Sequence, residues 1–132
     1  TDITIVGMSY MNTEALRCLE FLKLQGISCE LIDLRSINPI DWKTIIKSVK
    51  KTKKLLVLDT GSETGSLAAE IIAKVSIELF LEMEVPPARI CLPDAPVPAS
   101  FSLTEDFYPT SFDIAKKVCT MFDVTINEDD FK

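Results

Sequence analysis

The chain has 132 residues, and because a domain averages roughly 150 residues, this length fits one domain with one hydrophobic core and excludes a multidomain enzyme. Acidic residues outnumber basic residues by 20 to 14, and the net charge of −6 disfavours binding to nucleic acids or anionic membranes, which require neutralising Lys and Arg. Histidine, the commonest general base and metal ligand, does not occur in the sequence.

The cysteines and the hydropathy pattern indicate a reducing compartment. All four cysteines lie in apolar segments and form no Cys-x-x-Cys pair, so we interpret them as buried, reduced residues rather than as disulfides. No stretch resembles a signal peptide or a membrane span. We therefore expect a cytoplasmic or organelle-matrix protein. The four cysteines are Cys18, Cys29, Cys91 and Cys119.

The first third of the chain predicts a strand, a helix and a second strand. Residues 3–6 and 29–32 are β-branched or apolar runs that are typical of strands. Between them we expect Asn12 to cap a helix that stops at Gly26 in a left-handed conformation. The residues predicted to face inward from this helix are Ala15, Leu16, Leu19 and Leu22.

The middle of the chain repeats this alternation. We expect Asp41 to cap a second helix, and residues 55–58 predict a third strand. A turn at residues 61–65 leads into a third helix, and residues 88–92 predict a fourth strand. The inward-facing residues of the two helices are predicted to be Trp42, Ile45, Ile46 and Val49, then Leu67, Ala68, Ile71, Ile72, Val75 and Leu79.

The last third of the chain is rich in proline at first and then helical. Four prolines between residues 93 and 109 predict an extended loop without regular structure. We expect the last helix to be capped by Thr110 or Ser111, and the acidic residues 127–130 to fray. The predicted division is a domain over residues 1–122 and an acidic tail over residues 123–132.

Strands that alternate with helices predict a parallel sheet with helices on both faces. The predicted fold class is therefore α/β, a three-layer α/β/α sandwich with a mostly parallel sheet. In such a sheet, ligands bind beyond the carboxyl ends of the strands. Gly61 and Gly65 lie at that edge, and we interpret them as permitting a tight turn. Anion binding at the start of the third helix is the alternative, although Glu63 places a negative charge there.

Other charged residues have a structural interpretation that we favour over catalysis. Asp33 is expected to pair with Arg35 or with the backbone, and Asp59 to accept hydrogen bonds from turn amides. Six lysines between residues 43 and 54 are interpreted as a solvated face. No catalytic, cofactor-binding or metal-binding residue is predicted in the chain.

Three motifs follow one another along the chain: Ile32-Asp33-Leu34-Arg35-Ser36-Ile37-Asn38-Pro39-Ile40-Asp41, Ala69-Glu70-Ile71 and Asp94-Ala95-Pro96-Val97-Pro98. Their order resembles the C-terminal domain of the transketolase family over about residues 2–122. The similarity is greatest to the beta subunit of the thiamine-diphosphate-dependent first component of 2-oxo-acid dehydrogenase complexes, of the pyruvate or branched-chain type. Two departures are Asp59-Thr60, where the family usually has two acidic residues, and Gly65-Ser66, where it has consecutive glycines.

The resemblance implies a subunit-interface and partner-docking domain of such a beta subunit or of a transketolase-like enzyme. It also implies a fragment without the catalytic domains, because the Gly-Asp-Gly metal motif of the family does not occur in this sequence. Thiamine diphosphate and magnesium are implied for the parent enzyme and not for this chain. The alternative is a free-standing adaptor or small-molecule-sensing module of the same fold, with no enzymatic activity.

The resemblance further implies a homo- or hetero-oligomer and docking to a small, basic binding module of a dihydrolipoyl acyltransferase. Glu84 stands at the matching position ahead of the fourth strand. Asp94, Pro96 and Pro98 lie in the motif after that strand, where alternate prolines favour a stiff, presented contact segment. We expect these four residues to contact partners.

Overall fold

A computed structural model describes residues 1–131, and Lys132 of the predicted tail lies outside the described residues. The α/β class is confirmed. The elements are β1 (Ile3–Gly7), α1 (Tyr10–Leu24), β2 (Cys29–Asp33), α2 (Trp42–Thr52), β3 (Leu55–Ser62), α3 (Leu67–Leu79), β4 (Ala88–Leu92), α4 (Phe101–Thr104) and α5 (Ser111–Thr120), followed by a 3-10 turn at Glu128–Phe131.

The four strands form one parallel sheet in the order β2-β1-β3-β4. In the centre of this sheet, Ile5 of β1 lies opposite Leu31 of β2 on one side and Leu56 of β3 on the other. All five residues of β1 are buried. A central strand covered on both faces is expected to be mainly apolar rather than alternating, as Ile3, Ile5 and Val6 are. The polar Thr4 in this run is hydrogen-bonded to Ser48 and Thr52.

Helices cover both faces of the sheet and so divide the core in two. The α1–α5 face is the side on which α1 and α5 pack against Ile3, Ile5 and Leu56, and the α2–α3 face is the side on which α2 and α3 pack against Val6, Leu55 and Val57. These two layers of helices confirm the predicted three-layer sandwich.

The prediction that Asn12 caps α1 is wrong. The helix begins at Tyr10 after Ser9, and Asn12 lies buried in its first turn. Its side-chain amide donates a hydrogen bond of 2.5 Å to the carboxylate of Asp33 at the end of β2. A Cβ atom at Gly7 would lie 2.2 Å from Asn12 Oδ1, so glycine is required there by close approach. The amide therefore ties α1 to β2 instead of satisfying the helix end.

The prediction that Leu16 lies in the core is also wrong, because its side chain is 61 % exposed. The buried stripe of α1 runs instead through Met11, Ala15, Cys18 and Leu22. The predicted and the observed stripes both have three- and four-residue spacing, so the sequence pattern does not distinguish them. In the fold, α5 packs against the stripe that contains Cys18. The predicted stop at Gly26 is confirmed by its φ of 79°.

The caps of the later helices agree with the sequence. The backbone N–H of Thr44 donates to Asp41 at 3.1 Å, and Thr110 forms a reciprocal capping box with Asp113. Ser66 caps α3 by accepting a hydrogen bond from the backbone N–H of Ala69. The predicted inward faces of α2 and α3 are confirmed, with Ile45, Val49, Ala68, Ile71, Val75 and Leu79 buried.

Two segments are more ordered than expected. The proline-rich loop contains the short helix α4. The tail is packed as far as Phe131, whose ring lies 5.0 Å from that of Phe21 and 5.6 Å from that of Phe112. Ile126 is buried beside these rings in the core of the α1–α5 face. The expected fraying is wrong because Val124, Ile126 and Phe131, on either side of the acidic residues 128–130, pack into the core of the α1–α5 face.

Candidate partner interface

Glu84 lies in the turn before β4, where its carboxylate is held by two lysines. Its backbone N–H donates to the Lys53 carbonyl oxygen at 3.1 Å. Its carboxylate forms an ion pair with Lys54, and Lys53 Nζ lies 3.7 Å from its other oxygen. The hydrogen bond from Lys54 holds the pKa of Glu84 below its usual range. The negative charge of Glu84 is therefore offset at this site.

Lys54 connects Glu84 to the end of the last helix. Its side chain is 13 % exposed, and its Nζ lies 5.0 Å from the centre of the Phe122 ring. A cation this close to the ring face is attracted by the ring's quadrupole. We call Lys53, Lys54, Glu84 and Phe122 the amino-end cluster, because they meet beside the amino ends of β3 and β4. No local sequence pattern indicates this cluster, since Phe122 is remote from the other three along the chain.

Asp94 lies beyond the other end of β4 and joins two loops. Its carboxylate accepts hydrogen bonds from Thr64, at 2.9 Å from the backbone nitrogen and 2.5 Å from the hydroxyl oxygen. These hydrogen bonds keep the pKa of Asp94 below its usual range. The segment that follows presents Pro96 to solvent and leaves Pro98 half-buried. Asp94 thus anchors the proline segment, residues 94–98, to the turn after β3.

The structure does not bring the four predicted contact residues together. Glu84 precedes the five residues of β4, and Asp94 follows them. At about 3.3 Å per residue, the length of this strand separates the two by about 16 Å along the sheet. The residues therefore form two surfaces, the amino-end cluster and the proline segment. Their role as partner contacts stays a prediction.

A buried carboxylate joins the end of β3 to the start of α3. Asp59 is 4 % exposed and accepts hydrogen bonds of 2.8 Å from the backbone nitrogens of Gly61 and Ala68. With Ser66 accepting from Ala69, two amides in the first turn of α3 already have acceptors. The Asp59 carboxylate therefore occupies the amides that a bound anion would use. This agrees with the expectation that Asp59 accepts hydrogen bonds from backbone amides.

The interpretation of Asp33 as a structural residue is also confirmed. Its carboxylate forms an ion pair with Arg35 and accepts the hydrogen bond from Asn12. The lysine-rich segment is only partly solvated: Lys51 pairs with Glu30, and Lys53 and Lys54 pair with Glu84.

The side chains present do not fit a diphosphate and magnesium site. Within residues 1–131, no group of three or more Cys, Asp or Glu side chains is placed to hold a metal ion. Asp59 is occupied by backbone amides, and the cysteines are free but buried or half-buried. Burial raises the pKa of both the Cys18 and Cys29 thiols to about 12, so the reactive thiolate is disfavoured.

No helix in the described part of the chain is long and apolar enough to cross a membrane.

Comparison with known proteins decides the family. The family described as transketolase, C-terminal domain, matches residues 1–114. The chain belongs to this family. A solved structure of a split-gene transketolase, described as an inactive beta4 tetramer, superposes with a TM-score of 0.72 over 95 % of this chain and 39 % of that one, at 23 % identity. At this identity the match shows the fold alone, and it agrees with the α/β architecture described above.

Curated relatives of this transketolase C-terminal domain include beta subunits of pyruvate and 2-oxoisovalerate dehydrogenases. The chain is 42 % identical over 108 residues to the mitochondrial 2-oxoisovalerate dehydrogenase subunit beta of Dictyostelium discoideum, covering 81 % of this chain and 28 % of the relative. It is 39 % identical over 103 residues to the pyruvate dehydrogenase E1 component subunit beta of Cyanidium caldarium, covering 78 % and 32 %. The chain therefore spans about a third of the length of these relatives, and the resemblance to beta subunits is confirmed.

Proposed function

We propose that this chain is the subunit-interface and partner-docking domain of a 2-oxo-acid dehydrogenase beta subunit. The observation that carries the proposal is the identity of 39 % to 42 % with beta subunits of pyruvate and 2-oxoisovalerate dehydrogenases. The identity with the split-gene transketolase is 23 %, which favours a dehydrogenase over a transketolase as the parent enzyme.

The chemistry of the described residues supports a binding role over a catalytic one. The carboxylates of Asp33, Asp59 and Asp94 are engaged by a side-chain amide, turn amides and a threonine. The parent enzyme is proposed to use thiamine diphosphate and magnesium, held by residues outside this chain. This chain contributes surfaces through which the parent assembles as an oligomer and meets its partners.

The partner proposed for the amino-end cluster is the small, basic binding module of a dihydrolipoyl acyltransferase. The Glu84 side chain is 51 % exposed, so a basic side chain can reach its carboxylate despite the two lysines. Glu82 lies two residues away and is exposed. Glu128 lies in the tail, which runs back along α5 to Phe112 and away from Phe122. A docking module that contacts both acidic sites has to extend along α5.

Surface plasmon resonance against an immobilised acyltransferase binding module tests this proposal. We expect Glu84→Lys and Glu128→Lys each to slow association several-fold, because charges at the rim of an interface act mainly on the association rate. Raising the salt from 0.1 M to 1 M should slow the unmodified chain as well, since the Debye length falls from about 10 Å to about 3 Å. Charge reversal is preferable to truncation because removal of the tail would also remove the packed Ile126 and Phe131.

Glu70→Lys provides the matched control, because Glu70 is exposed in the first turn of α3, on the opposite face of the sheet from α5 and Glu128 and at the opposite end from the amino-end cluster. This variant should associate at the unmodified rate. If neither Glu84→Lys nor Glu128→Lys nor salt changes the association rate, the acidic residues are ordinary surface charges and the docking assignment is wrong.

A further inference from the structure

The α2–α3 face carries an open groove whose floor is apolar and whose rim is basic. Its volume is about 420 Å³. Trp42 and Ile46 lie half-buried in it and pack against the core of this face. The other lining residues are Lys43, Lys47 and Lys50 of α2 and Glu78 of α3. We call this site the lysine groove.

The lysines of the groove differ from their neighbours in having no carboxylate within ion-pair distance among residues 1–131, although Lys43 interacts with the Asp41 carboxylate over a longer distance. Lys51, Lys53 and Lys54 are all ion-paired with glutamates. By contrast, no carboxylate among residues 1–131 lies within 4.0 Å of the Nζ atoms of the three groove lysines. Their spacing of four and three residues places them side by side on one face of α2. Three like charges are therefore held together in a chain whose net charge is −6.

The acidic residue of the groove is already neutralised. Glu78 pairs with Lys74 at 2.6 Å, one turn earlier on α3. Lys74 Nζ also lies 6.0 Å from the centre of the Trp42 ring, so it fixes the wall of the groove beside the indole. The groove consequently keeps a net positive charge beside an indole and an isoleucine.

We propose that the lysine groove binds an acidic segment of a partner protein that carries an apolar side chain. Carboxylates of the segment pair with the groove lysines and relieve the repulsion among them, while the apolar side chain packs on Trp42 and Ile46. The complementarity of charge identifies the occupant as acidic. A nucleic acid fits less well, because its binding requires many lysine or arginine contacts spread along the phosphate backbone, and three lysines line this groove.

Trp42 allows direct measurement because it is the only tryptophan of the chain. The probe is a synthetic peptide, Asp-Glu-Glu-Leu-Phe-Glu-Asp-Glu, titrated while tryptophan emission is recorded. We expect saturable binding with a Kd of about 10 to 100 μM, and at least about five-fold weaker binding of the peptide in which Leu-Phe is replaced by Ser-Ser. We also expect Lys47→Glu to weaken binding by at least about five-fold, because it reverses the middle charge.

Lys116→Glu is the control, since Lys116 is exposed on α5 behind the other face of the sheet and should leave binding unchanged. Circular dichroism checks the fold of each variant, and Lys43→Gln replaces Lys47→Glu if the latter does not fold. The proposal is overturned by absence of binding up to about 1 mM peptide, well above the expected Kd. It is also overturned by equal binding of the Ser-Ser peptide, by an equal loss in Lys116→Glu, or by tighter binding of a thymidine octanucleotide.

Discussion

The two faces of the sheet are covered by similar amphipathic helices but differ at the surface. On the α1–α5 face, the tail folds back and covers part of the layer by packing Phe131 between Phe21 and Phe112, beside an open cavity that α5 and Glu128 line. On the α2–α3 face, the helices leave the lysine groove open. The comparison shows that an apolar helical stripe ensures burial of the inner face only. What covers the outer surface depends on other parts of the chain or on a partner.

The faces also differ in how their buried polar groups are treated. Beneath α2, Thr4 Oγ1 lies 2.7 Å from the hydroxyl oxygens of both Ser48 and Thr52, so this cluster satisfies itself. The α1–α5 face instead buries thiols, and the hydroxyl of Tyr10 has no hydrogen-bond partner within the described residues. Burial raises the pKa of Tyr10 to about 12. The α1–α5 face should therefore be the one that is sensitive to alkaline pH.

The largest expected effect is a loss of stability at alkaline pH that depends on Cys18. In the folded chain, burial raises the pKa of this thiol to about 12, whereas in the unfolded chain it ionises near pH 8.5. Its contribution is complete below pH 8.5 and is lost as the pH rises towards 12. Between these two pKa values the thiol is ionised in the unfolded chain and protonated in the folded chain. For each such thiol, the free energy of unfolding falls by about 1.4 kcal/mol for every unit by which the pH rises.

Urea unfolding at pH 7, 9 and 10.5 measures this loss. Cys18→Ala should lose less stability between pH 9 and 10.5 than the unmodified chain does. Cys91→Ala, on the α2–α3 face, is the comparison, because the pKa of Cys91 is raised by burial but lowered in part by a hydrogen bond with Ser66. It should change the pH dependence less. The same slope in all three proteins would show that ionisation of Cys18 does not cause the loss of stability at alkaline pH.

A second prediction concerns the closure of the α1–α5 face by the tail. Phe131→Ala removes a half-buried ring that makes edge contacts with two others, and we expect the free energy of unfolding to fall by about 1 to 2 kcal/mol. Phe101→Ala is the matched control, because that ring is 81 % exposed and its removal should change stability by less than about 0.5 kcal/mol. Equal values for the two variants in urea unfolding would contradict the packed tail.

The sequence predicts those features whose partners are local. The caps at Asp41 and Thr110 act on residues three positions ahead, and both are confirmed. The cap predicted at Asn12 is wrong because the partner of its amide, Asp33, lies beyond a whole helix and at the end of another strand. The neutralisation of Glu84 by Lys54 is not visible in the sequence for the same reason, since the two meet only when β3 and β4 pair.

The smallest expected effect concerns the lysine groove, where we expect a substitution to raise the free energy of unfolding rather than to lower it. Lys47 lies four residues from Lys43 and three from Lys50, and like charges at these spacings destabilise a helix by about 0.2 to 0.5 kcal/mol per pair. Lys47→Gln should therefore raise the free energy of unfolding by a few tenths of a kcal/mol at low salt.

Lys51→Gln is the comparison, because it removes the ion pair with Glu30 from the same helix and should lower the free energy of unfolding by up to about 1 kcal/mol. Both changes should shrink in 1 M NaCl, because the charges are exposed and screened. A loss of stability in Lys47→Gln at low salt would mean that the Lys47 charge is already neutralised in the unmodified chain. That result would contradict the description of the lysine groove as an unpaired basic site on the α2–α3 face.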